Sequence, residues 1–223
     1  MTPVTNSEDK ILEPFKKYDA IWLHDGNSKN PHAELTTGKC SNAYFNCRRV
    51  LKDPFANFNL ARELVLQLKQ KGIENIDWVI GSPMSAITFS YEVAKGFEAF
   101  HGFTEKDPLD PKKMVWKSET IPEGSNVLQI EELITTSHTF KEVRRAILEG
   151  NLEKINLLPI IGTIIHRPPK LPVEYEINGQ KIEIVALFEK EVWAIDPLEC
   201  PLCKLGSVPY PPKSHWKELI GKK

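Results

Sequence analysis

Val127-Leu128-Gln129-Ile130-Glu131-Glu132-Leu133-Ile134-Thr135-Thr136-Ser137-His138-Thr139 is the stretch whose reading decides the fold. The apolar run Val127, Leu128 and Ile130 has the length of a buried strand and is too short for a buried helix. Two adjacent carboxylates follow, Glu131 and Glu132, and then a hydroxyl-rich turn of Thr135, Thr136, Ser137 and Thr139. Beyond the turn Phe140, Val143, Arg144 and Ile147 recur at helical spacing, so the turn feeds a helix. A strand that passes into a helix through a polar turn gathers backbone N–H groups and the positive helix end at one point, which suits an anion. Carboxylates beside such a turn repel a phosphate but suit sugar hydroxyls or a metal ion. Together the two features ask for a sugar phosphate. The plainer reading is an ordinary strand-to-helix connection with a Ser/Thr cap, and both stay open at this point.

Bulk properties limit the alternatives. The chain has 223 residues, 41% of them hydrophobic, enough for one domain, or one domain plus a small subdomain. A formal net charge of −1 gives no electrostatic case for a nucleic-acid or membrane partner. No apolar run approaches the roughly 20 residues of a membrane span. Residues Met1 to Lys10 lack the basic and apolar parts of a secretory signal. Four cysteines do not suggest a disulfide scaffold in a chain this long. The expectation is a soluble cytoplasmic protein.

Working outward, Asp53-Pro54 opens a helix, with Asp as cap and Pro at the first helical position. Leu60, Ala61, Leu64, Val65 and Leu68 continue it, and Gly72 closes it. Asp77 to Ile80 reads as the next buried strand, followed by the turn Gly81-Ser82-Pro83-Met84-Ser85-Ala86 and a helix carrying Ile87, Tyr91, Ala94 and Phe97. Phe103 to Lys117 reads as a strand, a solvated loop and a return strand. The helix after Thr139 ends at Gly150, and Leu157 to Ile165 is a further buried strand ending at His166-Arg167. Asn178-Gly179, between Val173–Ile177 and Ile182–Phe188, signals a hairpin that adds antiparallel strands at one edge. This alternation predicts an α/β fold with a central, mainly parallel sheet flanked by helices.

The N-terminal part reads less regularly. Ser7-Glu8-Asp9 starts a helix with Ile11, Leu12 and Phe15 on one face, and Ala20 to Ala33 is irregular around the turn Asp25-Gly26-Asn27. On residue type alone Tyr44 and Phe45 are core aromatics. Cys200-Pro201-Leu202-Cys203 is by itself half a zinc site, but Cys40 and Cys47 are too widely spaced for a second pair, so zinc is the lesser reading.

The central stretch resembles the phosphoribosyl-diphosphate loop of type I phosphoribosyltransferases: apolar strand, two acids, two apolar residues, Thr-Thr. Ser137 and His138 stand where that family has glycines, and Glu132 where it usually has Asp. Leu35 to Leu51 resembles the N-terminal signature of the orotate phosphoribosyltransferases, a Thr-Gly turn leading into an aromatic strand that ends Asn46-Cys47-Arg48-Arg49-Val50-Leu51. The turn from Gly81 is similar to the one that receives diphosphate, with Ser85 and Ala86 in the later glycine positions. Arg167 matches an Arg at a strand end, with His166 in place of Asp. The Cys-Pro-Leu-Cys tail resembles one orotate subgroup. The likeness runs in matching order from about Ala20 to Trp216.

The resemblance implies a single phosphoribosyltransferase-like domain over residues 1–223. Its core is roughly 53–196, and a small hood consists of roughly 1–52 with the tail 197–223. It implies transfer of a 5-phosphoribosyl group from phosphoribosyl diphosphate to orotate, with Mg²⁺ bound mainly through the substrate, in a homodimer. Glu131 and Glu132 would hold the ribose hydroxyls, and Thr135, Thr136, Ser137, His138 and Thr139 the 5′-phosphate. Ser82, Lys106, Lys112 and Lys113 would meet the diphosphate, Lys106 as its best-matched catalytic contact. Thr36, Lys39, Tyr44, Phe45, Thr135 and Arg167 would meet orotate, whose carboxylate suits the two parallel donors of a guanidinium. With both phosphate turns short of glycine, the alternatives are Ser82, Ser85 and Ser137 as replacement donors, a non-catalytic paralogue that binds a nucleotide or sugar phosphate, or an enzyme for another base.

Overall fold

The structure, a computed structural model, describes residues 7–221, so the reading of Met1 to Lys10 falls mostly outside it. The chain divides into two compact units. The larger holds Leu51–Arg167 and Pro172–Glu189; the smaller holds the residues up to Val50, Pro168–Leu171 and those from Lys190 onward.

The larger unit is built on a six-stranded sheet in the order Tyr175–Ile177, Gln180–Glu189, Asn156–His166, Asn126–Ile134, Trp78–Gly81, Phe100–Phe103. Every pairing but the first is parallel. Asn126–Ile134 lies inside the sheet and is buried almost continuously from Val127 to Glu131, as a strand covered on both faces must be. It runs four residues past the apolar stretch that predicts it. Its ladder to Trp78–Gly81 stops at the pair Gly81–Ile130. Glu131 to Ile134 therefore keep a strand neighbour on the Asn156–His166 side only.

The first helix of this unit's core forms where its cap predicts. Asp53 accepts from the backbone N–H groups of Phe55 (2.9 Å) and Ala56 (3.4 Å), opening the helix Pro54–Gln70. The helices Ala86–Phe97 and His138–Gly150 follow two sheet strands through short turns. Leu64, Phe89, Phe140 and Ile147 from these helices, with Ile80, Leu128, Ile130 and Ile161 from the sheet, are fully buried. Gly81 is needed for close approach: a Cβ there would lie 2.2 Å from Ser90 Oγ and 3.1 Å from the Ala86 carbonyl oxygen.

Two features depart from the sequence reading. The Asn178-Gly179 turn forms, with φ of 51° and 78°, but only Tyr175–Ile177 is antiparallel. Its partner Gln180–Glu189 joins Asn156–His166 in parallel, through residues Ile160 to His166, so one antiparallel strand is added and not two. Second, Asn156–His166 carries Pro159 and an irregularity in register between Leu157 and Ile161. A proline has no N–H to give a ladder. Arg144, buried on the facing helix, donates instead to the carbonyls of Leu157 (3.2 Å) and Leu158 (2.9 Å).

In the smaller unit the helix Ser7–Lys17 buries Ile11, Leu12 and Phe15, as its spacing predicts. The segment Ala20 to Ala33 is not irregular throughout. Ile21–Leu23 pairs antiparallel with Ala43–Phe45, and His32–Glu34 enters a four-stranded sheet with Ala194–Ile195, Cys40–Ser41 and Pro209–Tyr210. Strands of two or three residues are too short to show a period.

Candidate active site

At the carboxyl ends of the larger unit's strands, where ligands bind in parallel sheets, lies a cavity of about 380 Å³. Its floor is Glu131, Glu132 and Leu133 from the overrunning strand end, and one wall is His138 and Thr139 from the following helix. Ser82 and Pro83 supply the second strand-to-helix turn. Lys106, Pro111, Lys112 and Met114 come from the ribbon in which Glu105–Lys106 pairs with Met114–Val115.

Glu131 is 2% exposed. Ser82 Oγ donates to its Oε2 and Gln129 Nε2 to its Oε1 at 2.9 Å. Burial raises the carboxyl's pKa most, the neighbouring Glu132 charge adds to it, and the two donors oppose; the result is a value raised from 4.5 to about 8. Glu131 is thus mainly protonated at neutral pH. Glu132 beside it is half-buried and lines the same cavity. Two lysines thus share the cavity with an acidic pair of which Glu131 is mainly neutral, a set that suits a polyanion carrying hydroxyls.

The expected phosphate residues divide. Ser82, Lys106, Lys112, Glu131, Glu132, His138 and Thr139 share the cavity; Lys113, Thr135, Thr136 and Ser137 are not among its walls. The Ser82 hydroxyl, expected as a replacement phosphate donor, donates here to Glu131. Ser137 and Ser85 occupy the N-cap positions of their helices, yet neither makes a side-chain cap hydrogen bond. The plain reading of a Ser/Thr-capped turn therefore does not describe this one. His138 is the first residue of its helix, exposed at the cavity wall.

Arg167 closes the neighbouring strand and its backbone N–H donates to the Ile134 carbonyl at 2.8 Å, so it lies beside Thr135. In the smaller unit Thr36 and Lys39 are exposed in a turn closed by the Gly38 N–H to the Leu35 carbonyl (2.8 Å). Gly38 is there for its φ of 75°, with no protein atom within 4 Å of a Cβ. Tyr44 is half-buried, its ring 6.2 Å from that of Trp216, while Phe45 is a core residue of this unit.

Sequence reasoning missed two contributors to this site. Gln129, the one polar residue within the apolar run from Val127 to Ile130, carried a signal: it bridges Glu131 and the Phe140 carbonyl. Met114 lines the cavity, and Arg145 holds its carbonyl at 3.0 Å while pairing with Glu142 and Glu149. It also missed a separate cluster in the smaller unit, where Cys200 and Cys203 meet Cys40 and His32, partners that spacing alone did not offer.

No family model matches the chain. It is 33% identical over 202 residues to the orotate phosphoribosyltransferase of a Thermoanaerobacter species, covering 89% of this chain and 93% of that protein. The orotate phosphoribosyltransferase of Desulforamulus reducens is 30% identical over 203 residues, covering 90% of this chain and 93% of that one. Among solved structures, the orotate phosphoribosyltransferase of Aeropyrum pernix shares the fold at a TM-score of 0.53 and 17% identity, over 88% of this chain and 99% of its own. The mixed α/β architecture with a large, mostly parallel sheet is common to these proteins.

Proposed function

The chain belongs to the orotate phosphoribosyltransferase family, and from that premise we propose that it transfers a 5-phosphoribosyl group from phosphoribosyl diphosphate to orotate. The reaction gives orotidine 5′-phosphate and diphosphate, a pentosyl transfer in pyrimidine nucleotide biosynthesis. The observation that carries the proposal is one cavity in which an acidic pair on a strand end faces two lysines of an adjacent ribbon. Such a site binds sugar hydroxyls and a polyphosphate at once.

Catalysis here is positioning and charge stabilisation rather than covalent chemistry. Glu131 and Glu132 hold the ribose hydroxyls. Lys106 and Lys112 meet the negative charge that grows on the diphosphate as the C1–oxygen bond lengthens. Thr139 and the start of its helix face the 5′-phosphate. Arg167 pairs with the orotate carboxylate. The proposal also carries Thr36, Lys39 and Tyr44 as pyrimidine contacts, each judged by its alanine variant's KM for orotate; Phe45, a core residue, is left out.

Glu132 offers hard oxygen at the cavity wall, which fits a magnesium ion carried mainly by the diphosphate. When bound, Mg²⁺ neutralises leaving-group charge. The proposal includes a homodimer and a cytoplasmic location; among the described residues no helix is long and apolar enough to cross a membrane.

A second reading, binding without turnover, is favoured by the two glycine-poor turns. One experiment separates them: orotate, phosphoribosyl diphosphate and Mg²⁺ with the purified chain, following loss of orotate absorbance. We expect turnover, with kcat lowered about 10²–10³-fold in Lys106→Ala and no change in its folding, since Lys106 is exposed. Ligand binding without absorbance change would establish the second reading.

A further inference from the structure

Outside the catalytic unit, four metal-binding side chains converge in the smaller one. His32 begins the strand His32–Glu34, and Cys40 begins Cys40–Ser41. These strands pair antiparallel with Glu34 opposite Cys40, so His32, two residues along the same face, is the diagonal neighbour of Cys40. Cys200 precedes the short helix Pro201–Lys204 and Cys203 lies within it, one helical turn on. The three sulfurs and His32 Nε2 all lie within 4.8 Å of one another.

The spacing discriminates between explanations. Cys40 Sγ and Cys203 Sγ are 3.6 Å apart, and His32 Nε2 is 3.6 Å from Cys200 Sγ and 3.5 Å from Cys203 Sγ. A disulfide needs about 2.05 Å. A tetrahedral zinc with bonds of about 2.3 Å to sulfur and about 2.05 Å to nitrogen puts sulfur and nitrogen about 3.6 Å apart, and two sulfurs about 3.8 Å apart. The second pattern is the one present.

The histidine is set for the role. Ser207 Oγ donates to the Asn30 carbonyl at 2.6 Å, since a carbonyl can only accept. Its oxygen therefore accepts from His32 Nδ1–H at 2.7 Å. That fixes the proton on Nδ1 and leaves the Nε2 lone pair facing the thiols, the outer support a metal-bound histidine uses. His32, Cys40 and Cys200 are fully buried.

We infer that His32, Cys40, Cys200 and Cys203 bind a structural zinc ion that fastens the C-terminal segment to the N-terminal sheet. Four protein ligands leave no open position, so the site is structural and takes no part in phosphoribosyl transfer. His32 and Cys203 are 171 positions apart in the sequence, so the metal closes a loop of most of the chain. This inference stands independently of the proposed activity.

The test is metal analysis of the full-length chain purified without a metal-affinity tag and supplied with zinc, with cobalt substitution as a second reading. We expect one zinc per chain and, with cobalt, the spectrum of a tetrahedral thiolate site. Cys203→Ser should bind less than stoichiometrically. Ser207→Ala removes no ligand and should still fold; competition with a chromogenic chelator should show its zinc affinity about 10–100-fold lower. A folded wild-type chain that takes up only trace zinc and cobalt overturns the site, as does a Cys203–Cys40 disulfide found under non-reducing conditions. Wild-type affinity in Ser207→Ala overturns the role given to His32.

Discussion

Glu131→Gln should flatten the pH dependence of stability. In the folded chain the Glu131 carboxyl holds its proton up to about pH 8, against 4.5 for the free group. Its folded value is raised, so the folded state binds more protons than the unfolded chain between those limits. Stability is then complete below about pH 4.5, falls as pH rises, and levels off above about pH 8. The slope is about 1.4 kcal/mol per pH unit, or about 5 kcal/mol across the whole interval. Gln has no proton to lose and can keep both contacts: its oxygen accepts from Gln129 Nε2, and its amide group faces Ser82 Oγ. Other titrating groups are shared by the two proteins and cancel in the difference. Urea unfolding of both from pH 5 to 9 should show the variant gaining on the wild type by about 1.4 kcal/mol per unit up to pH 8, then running parallel. Parallel curves throughout would refute the account of Glu131 as a buried, largely protonated acid.

Gly81→Ala should destabilise by about 1–3 kcal/mol, because the new methyl displaces Ser90 Oγ from its bond to His101 Nε2 at 2.8 Å; thermal unfolding gives the readout, and an unchanged midpoint counts against that packing. Arg145→Ala should cost about 1 kcal/mol of stability and raise KM for phosphoribosyl diphosphate several-fold, since Arg145 holds the Met114 carbonyl at the cavity's edge. Steady-state kinetics with an unchanged KM would separate the ribbon's anchoring from substrate binding.

What was legible in the sequence was what neighbouring residues encode. The cap at Asp53, the parallel strands and the acidic pair beside a polar turn each depend on contacts within a few positions, and each formed where expected. The Pro159 irregularity was not read because the donor that compensates it, Arg144, lies on another element. Periodicity placed Arg144 on the buried face but was silent on its reason for being there. The hairpin's second strand was misassigned because the turn fixes how two strands meet each other and says nothing of the third they join. The cysteines show the same limit most sharply: a search for a second pair at close spacing cannot find ligands separated by most of the chain.

The glycine-poor turns take a different meaning once the ladder is followed to its end. Backbone pairing between Asn126–Ile134 and Trp78–Gly81 stops at Gly81 and Ile130. The next residues on the two strands are Ser82 and Glu131, and they are joined by side chains where backbone bonds no longer reach. Ser82 thus fastens the second strand-to-helix turn to the acid at the strand end, and a glycine there would leave that carboxyl with Gln129 as its remaining donor. Losing a hydrogen bond that opposes the effect of burial pushes the Glu131 pKa further up. Ser82→Gly should therefore extend the falling limb of the stability curve beyond pH 8, the opposite of Glu131→Gln. A pair of variants that bend one curve in opposite directions ties the effect to this contact rather than to general loosening of the turn.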